Sequence, residues 1–297
     1  MTGSIPEPVL LVGPVSIDEI AGERRLGGTV SYAASVVAAF GLRARILTIA
    51  APDADLSLLS ASHDLHVAQD SATLTFAFSQ TPQGRQLTTL ARPSRPLTAS
   101  DLPAAWRSPA ILILGTLIEG DIDLDSFGSI ASSASHIAIA TQGLQRHATP
   151  AVTTGPLTDL SSLIQLCTHS TSLFRSAREA SVWTADQLPA ILATGARVIT
   201  TNGERGAEVQ RAEGDRQIPP VSFESEIDAT GAGDIFASAF ILTLHEGDAA
   251  AGRLAAAFAA ASVALRGPGP LPIRAEIERR LAAAAIVSDD IERGEPD

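Results

Sequence analysis

The chain has 297 residues, 45% of them hydrophobic, a formal charge of −12 and a single cysteine, Cys167. That is enough apolar material for a sizeable core, and it excludes both an intramolecular disulfide and the clustered basic surface that binding to a nucleic-acid backbone relies on. All 21 basic residues are arginine. Without lysine, the Walker A phosphate loop, the strand lysine of protein kinases and Schiff-base or pyridoxal chemistry fall away, so a bound anion has to be held by backbone amides and arginine.

In chain order, short β-rich apolar runs alternate with helical patterns. The strand-like segments are VLLVG (9–13), RILTIA (45–50), AILILG (110–115), HIAIAT (136–141), SLF (172–174) and ARVITT (196–201). Helices are expected at Tyr32–Phe40, Asp186–Ala193, Asp234–His245 and Ala249–Arg266, with Gly41, Gly195, Gly247 and Gly267 as their stops. Such alternation predicts an α/β fold whose mostly parallel sheet is covered on both faces. The longest apolar run, 254–265, is too short to span a membrane. Residues 1–8 carry no basic start, so no secretory leader is expected, and with one cysteine a cytoplasmic location is the default.

One segment breaks this rhythm. In ATLTFAFSQTPQGRQLTTLA (72–91), Leu74, Phe76 and Phe78 alternate with Thr73, Thr75 and Ala77 before a Pro/Gly turn. It reads as a β-hairpin added to the body, either a lid over a site or an extra sheet edge. The end of the chain, from about 286, reads as a solvated tail.

Three loops carry candidate chemistry. In DATGAGD (228–234) the glycines permit a tight turn at a helix start, where unpaired N–H groups and the dipole favour an anion, and Asp234 sits beside it as a candidate base. TNGERGA (201–207) follows a strand at the end where α/β ligands bind. Near the start, Asp18 precedes the pair Gly27–Gly28, which opens the helix TVSYAASVVAAFG. Each alone has a bland reading as a turn or cap. DIDLD (121–125) lacks the glycine and glutamate that a calcium loop needs and reads as a plain loop. The six histidines are scattered, and the one close pair, His63 and His66, has no cysteine nearby, which makes a zinc site improbable.

Taken together, these loops resemble the ribokinase-like (PfkB-type) carbohydrate kinases over nearly the whole chain. DATGAGDIFASAF is similar to that family's C-terminal signature, with Ala229 in its second position; GGTVSYAASVVAAFG resembles its N-terminal glycine-pair signature; TNGERGA resembles its nucleotide loop; and SAREA (176–180) resembles its N-x-x-E motif with Ser176 in place of Asn. The resemblance implies a three-layer α/β/α sandwich with a mostly parallel sheet, one domain over 1–285, a β lid from about 14–26 and 70–98, and a tail at 286–297.

It also implies an ATP- and Mg²⁺-dependent kinase of a hydroxyl on a sugar, polyol or nucleoside. Asp234 would be the base, and Gly231, Ala232 and Gly233 the anion hole. Thr201, Gly203, Gly206, Ala229 and Thr230 would line the nucleotide, and Glu179 would organise the water shell of Mg²⁺. Asp18, Gly27 and Gly28 would hold the acceptor. The segment 255–270 falls where that family keeps its adenine pocket and a monovalent-cation loop, which implies K⁺, and its lid strands pair into homodimers. Tyr32 stands where the family carries a substrate-contacting Asn, so with Arg146 of TQGLQR (141–146) it is a candidate substrate residue from a less characterised branch. Two other functions stay open: a kinase of another small molecule, such as a hydroxymethylpyrimidine-type vitamin precursor, and a catalytically silent nucleotide- or sugar-binding regulator.

Overall fold

A computed structural model of the chain describes residues 4–81, 84–223 and 226–292. The described residues form a nine-stranded sheet, in the order Arg216–Ile218, Ala207–Gln210, Arg197–Thr201, Thr171–Ser176, His136–Ala140, Ile111–Gly115, Val9–Val12, Ala44–Ala50 and Asp64–Gln69. The first two strands join antiparallel, and all the others pair in parallel. The expected strands are present, and Asp64–Gln69 is an additional one; its half-exposed DLHVAQ lacks a continuous apolar run because it lies at the edge.

Burial explains why these short runs are strands. Successive side chains point to opposite faces, and both faces are covered. Val9, Leu11, Ile111, Ile113, Ala138 and Ile199 belong to a core shared with the helices Thr29–Ala39, Ala232–Thr243 and Asp248–Ser262. Leu10, Val12, Leu112, Leu114, Ile137, Ile139 and Val198 belong to a second core with Leu160–Leu166 and Gln187–Leu192. The result is the expected three-layer α/β/α arrangement. Among the described residues no helix is long and apolar enough to cross a membrane.

A second, six-stranded sheet stands over the carboxyl ends of the parallel strands, in the order Arg146–Thr149, Ala151–Thr154, Gly84–Ala91, Leu74–Thr81, Ser16–Ile20 and Glu23–Gly27. The hairpin read at 72–91 occupies its centre, and residues 82–83 of its turn lie outside the described residues. Ser16–Ile20 lies parallel to Leu74–Phe78. The strands 146–149 and 151–154 were not anticipated; RHATPAVTT has β-branched residues on both sides of Pro150, but its pairing partner, Thr88 opposite Ala151, is distant in sequence. Phe76, Leu74, Leu117 and Ile118 form a small apolar cluster between this sheet and the body. At the carboxyl end, where a tail was expected from 286, the helix Arg274–Glu292 continues; residues 293–297 lie outside the described residues.

Candidate functional site

One cleft is lined both by residues that follow parallel strands of the large sheet and by strands of the second sheet above them. The turn Thr141–Gln145 after His136–Ala140 supplies Gln142, the short helix Ala177–Ala180 after Thr171–Ser176 supplies Arg178, and Ser16–Ile20 supplies Ser16 and Asp18. This cleft encloses about 730 Å³ and is walled on its apolar side by Tyr32, Phe76, Phe78, Leu87, Leu117 and Val152. Its polar side includes Asp18, Gln142, Arg146, Arg178, Thr230 and Asp234.

Asp234 is on the first turn of Ala232–Thr243. The Thr29 hydroxyl donates to its Oδ1 at 2.7 Å, and the Gln142 side-chain amide donates to the Thr29 oxygen at 3.1 Å. Loss of solvent pushes the Asp234 carboxyl up to about 6, against the Thr29 bond and the Arg146 charge, which favour ionisation, while Glu179 and Asp18 add to the rise. A carboxylate with a pKa near neutrality is ionised at pH 7 and still basic enough to take a proton.

The turn before it is a bare N-cap. Gly231 has φ +81°, the left-handed region that costs a side-chain-bearing residue energy, and a Cβ there would overlap the buried Tyr32 ring. No side chain caps the helix. The Ala232 N–H is spent on the Ala229 carbonyl at 3.2 Å, whereas among the described residues the Gly233 and Asp234 N–H groups have no partner. Gly233 faces open space. Within the expected hole of residues 231–233 the tight turn consumes the 232 amide internally, while among the described residues the N–H groups of residues 231, 233 and 234 are unspent.

A second cavity of about 560 Å³ lies on the other side of this turn. Thr201, Gly203 and Gly206 line it, as do Val221, Phe223, Ala256, Ala259, Ala260 and Val263. Ala229 borders both cavities; Ala232 and Gly233 face this one, and Gly231 and Asp234 face the first. The six-residue turn 229–234 is thus a wall between an apolar cavity and a polar one.

Other sequence-read positions fall as follows. Asp18, Gly28, Tyr32 and Arg146 line the polar cleft; Gly27 stands behind Asp18, whose Oδ1 accepts from the Ser16 hydroxyl at 2.9 Å. Thr230, read as a nucleotide residue, faces the polar cleft instead. Glu179 lines neither cavity. Its Oε2 accepts the Ser176 N–H at 2.7 Å while the Ser176 hydroxyl accepts the Glu179 N–H at 3.2 Å, a reciprocal cap at the start of the short helix. Asp121 of DIDLD accepts the Leu117 and Ile118 N–H groups at 2.6 and 3.0 Å, which makes it a loop staple. Thr29, Gln142 and Arg178 were not singled out from sequence, since a hydroxyl, an amide and a guanidinium carry no spacing signature.

A family model described as pfkB family carbohydrate kinase matches residues 65–274. The chain belongs to that family and is a phosphotransferase with an alcohol group as acceptor. Among solved structures the fold is similar to a pyrophosphate-dependent kinase of the ribokinase family, complexed with a pyrophosphate analog and myo-inositol (20% identity, 91% of this chain and 99% of that one, TM-score 0.74). It is similar also to fructokinase with bound ATP from Xylella fastidiosa (13%, 93% and 99%, TM-score 0.74) and to the Burkholderia thailandensis nucleoside kinase in complex with inosine (21%, 93% and 98%, TM-score 0.70). A search of curated proteins returns no match.

Proposed function

We propose that the chain is an ATP-dependent kinase that phosphorylates one hydroxyl of a small sugar, polyol or nucleoside. The observation that carries this reading is the pair of cavities divided by the 229–234 turn. The apolar side suits a nucleoside, with Thr201, Gly203 and Gly206 along its phosphates and the alanines 256, 259 and 260 beneath its base. A pyrophosphate donor, as used by the similar kinase above, would leave this apolar cavity without a role.

In this mechanism the γ-phosphoryl group lies at the free N–H groups of Gly233 and Asp234, and the acceptor hydroxyl lies against Asp234. As the oxygen–phosphorus bond forms, the Asp234 carboxylate takes the hydroxyl proton, late in a loose transition state that asks little early activation. Arg146 and Arg178 supply the positive charge that lysine gives in other kinases. Asp18 positions the acceptor, and the second sheet acts as a lid that excludes water. Mg²⁺ fits the donor set, since it keeps most of its waters and needs one or two carboxylates. Glu179 retains one oxygen beyond its cap and would hold such a hydrated ion, which neutralises charge on the phosphates when bound.

The test is product release from ATP, and separately from pyrophosphate, with Mg²⁺, across pentoses, hexoses, inositols and nucleosides, for wild type and Asp234→Asn. Turnover on one acceptor with ATP, lowered about 10²- to 10⁴-fold by the substitution, is the expected result. Turnover with pyrophosphate alone, or equal activity in the variant, would overturn the reading.

A further inference from the structure

We infer that Thr29 and Gln142 form a one-way hydrogen-bond relay that orients the Asp234 carboxylate and directs the transferred proton to its Oδ2 oxygen; the inference rests on the kinase reading above. The three residues come from elements remote in sequence, Thr29 lying 205 positions from Asp234 and 113 from Gln142. Each sits at the start of its element: Thr29 opens the helix Thr29–Ala39, Asp234 lies in the first turn of Ala232–Thr243, and Gln142 lies in the turn that follows His136–Ala140.

The direction follows from donor chemistry. A threonine hydroxyl owns one proton, an amide nitrogen only donates, and an ionised carboxylate only accepts. With the Gln142 amide nitrogen on the Thr29 oxygen, the single Thr29 proton is committed to Asp234 Oδ1. The opposite orientation of the Gln142 amide would set its carbonyl and the carboxylate competing for that one proton, so an ionised Asp234 selects the orientation observed. Oδ1 is thereby occupied by a donor, and Oδ2 is the oxygen left to accept the acceptor's proton. Loss of the Thr29 bond removes a partner that favours the charged form.

Packing fixes the relay in place. A Cβ on Gly115, at the end of Ile111–Gly115, would lie 2.6 Å from Thr29 Cβ and 2.8 Å from its methyl carbon, so the backbone of residue 115 is the wall against which the Thr29 side chain rests. Thr29 itself is 1% exposed, which shields the 2.7 Å bond from competing water. A staple between two helices would need only the Thr29–Asp234 bond; the Gln142 amide in addition fixes which way the Thr29 proton points.

The experiment compares wild type, Thr29→Val, Thr29→Ser and Gly115→Ala on the acceptor found above, recording kcat, KM and the pH dependence of kcat. In parallel, carbon-13 NMR follows the Asp234 carboxyl through a pH titration, a readout that needs no turnover. Thr29→Val is expected to lower kcat about tenfold to a hundredfold and to move the acid limb of the kcat profile, and the carboxyl titration, upward by about one pH unit, with KM for ATP unchanged. Thr29→Ser, which restores the hydroxyl, is expected to recover both, and Gly115→Ala to reproduce the defect through packing alone. Should Thr29→Val fail to fold, Gln142→Leu carries the same test, with the same direction expected.

A Thr29→Val enzyme with the wild-type pH profile and kcat overturns the relay, as does a defect that Thr29→Ser leaves unrepaired. If wild type turns over no acceptor, the kinase reading fails instead, and the carboxyl titration still decides: an unmoved Asp234 titration in Thr29→Val overturns the relay on its own.

Discussion

Replacing Gly231 by alanine adds one methyl group to the turn between the two cavities, and the structure gives its cost in two parts. The residue has φ +81°, where a Cβ meets its own carbonyl, a penalty of about 1–2 kcal/mol. The new carbon would also overlap the Tyr32 ring, which is 3% exposed and cannot swing into solvent, so overpacking adds about 1–3 kcal/mol. The sum, about 2–5 kcal/mol, is a large share of the stability of an ordinary domain, about 5–15 kcal/mol. Urea denaturation at unchanged m-value measures it.

The two parts separate in a double-mutant cycle. In a Tyr32→Ala background the overlap disappears and only the backbone penalty, about 1–2 kcal/mol, remains for Gly231→Ala. A loss below about 1 kcal/mol in the wild-type background refutes the strained turn, and an equal loss in both backgrounds refutes Tyr32 as the wall. The outcome bears on the proposed mechanism, because Tyr32 then sets the position of the helix start that carries Asp234.

Burial raises the Asp121 carboxyl to about 7, against the two amides that favour its charge. The folded state therefore holds this proton more tightly than the unfolded chain, so stability is greatest below the ordinary carboxyl range and declines as pH rises from about 4 to about 7. Asp121→Asn keeps an oxygen for the Leu117 and Ile118 N–H groups and cannot ionise, so thermal midpoints across that window are expected to lose this decline; an unaltered slope contradicts the assignment. At Glu179, glutamine retains the oxygen that accepts the Ser176 N–H whereas alanine does not. Glu179→Ala is expected to cost about 1 kcal/mol and Glu179→Gln close to nothing, while both raise the Mg²⁺ concentration needed for half-maximal turnover; a Glu179→Gln enzyme with wild-type Mg²⁺ dependence would leave Glu179 as a cap alone.

The parallel sheet was legible because its strands are buried on both faces, so VLLV, ILILG and HIAIA read as continuous apolar runs whatever packs on them. The 229–234 turn was legible for a related reason: a side-chain-poor start to an apolar helix has few local explanations, and the φ of Gly231 is one that glycine adopts without cost. Edge elements were less so. Asp64–Gln69 and the strands at 146–154 are half polar, and their pairing with Ala44–Ala50 and with Gly84–Ala91 is made by chain far away. The Ala232 amide was assigned to an anion from sequence, whereas in the fold the turn itself consumes it.

Sequence by itself determined the family, the absence of a lysine-based phosphate site, and the glycine-rich helix start that carries Asp234, since each depends on residue identity or on neighbours within a few positions. Tertiary structure alone decided that the helix-start turn divides two cavities, that Glu179 folds back into a cap, and that Thr29 and Gln142 meet at Asp234. The physical reason is range: periodicity and turn chemistry act along a few residues, whereas a hydrogen bond between residues 29 and 234 exists only once the sheet has brought its strand ends together.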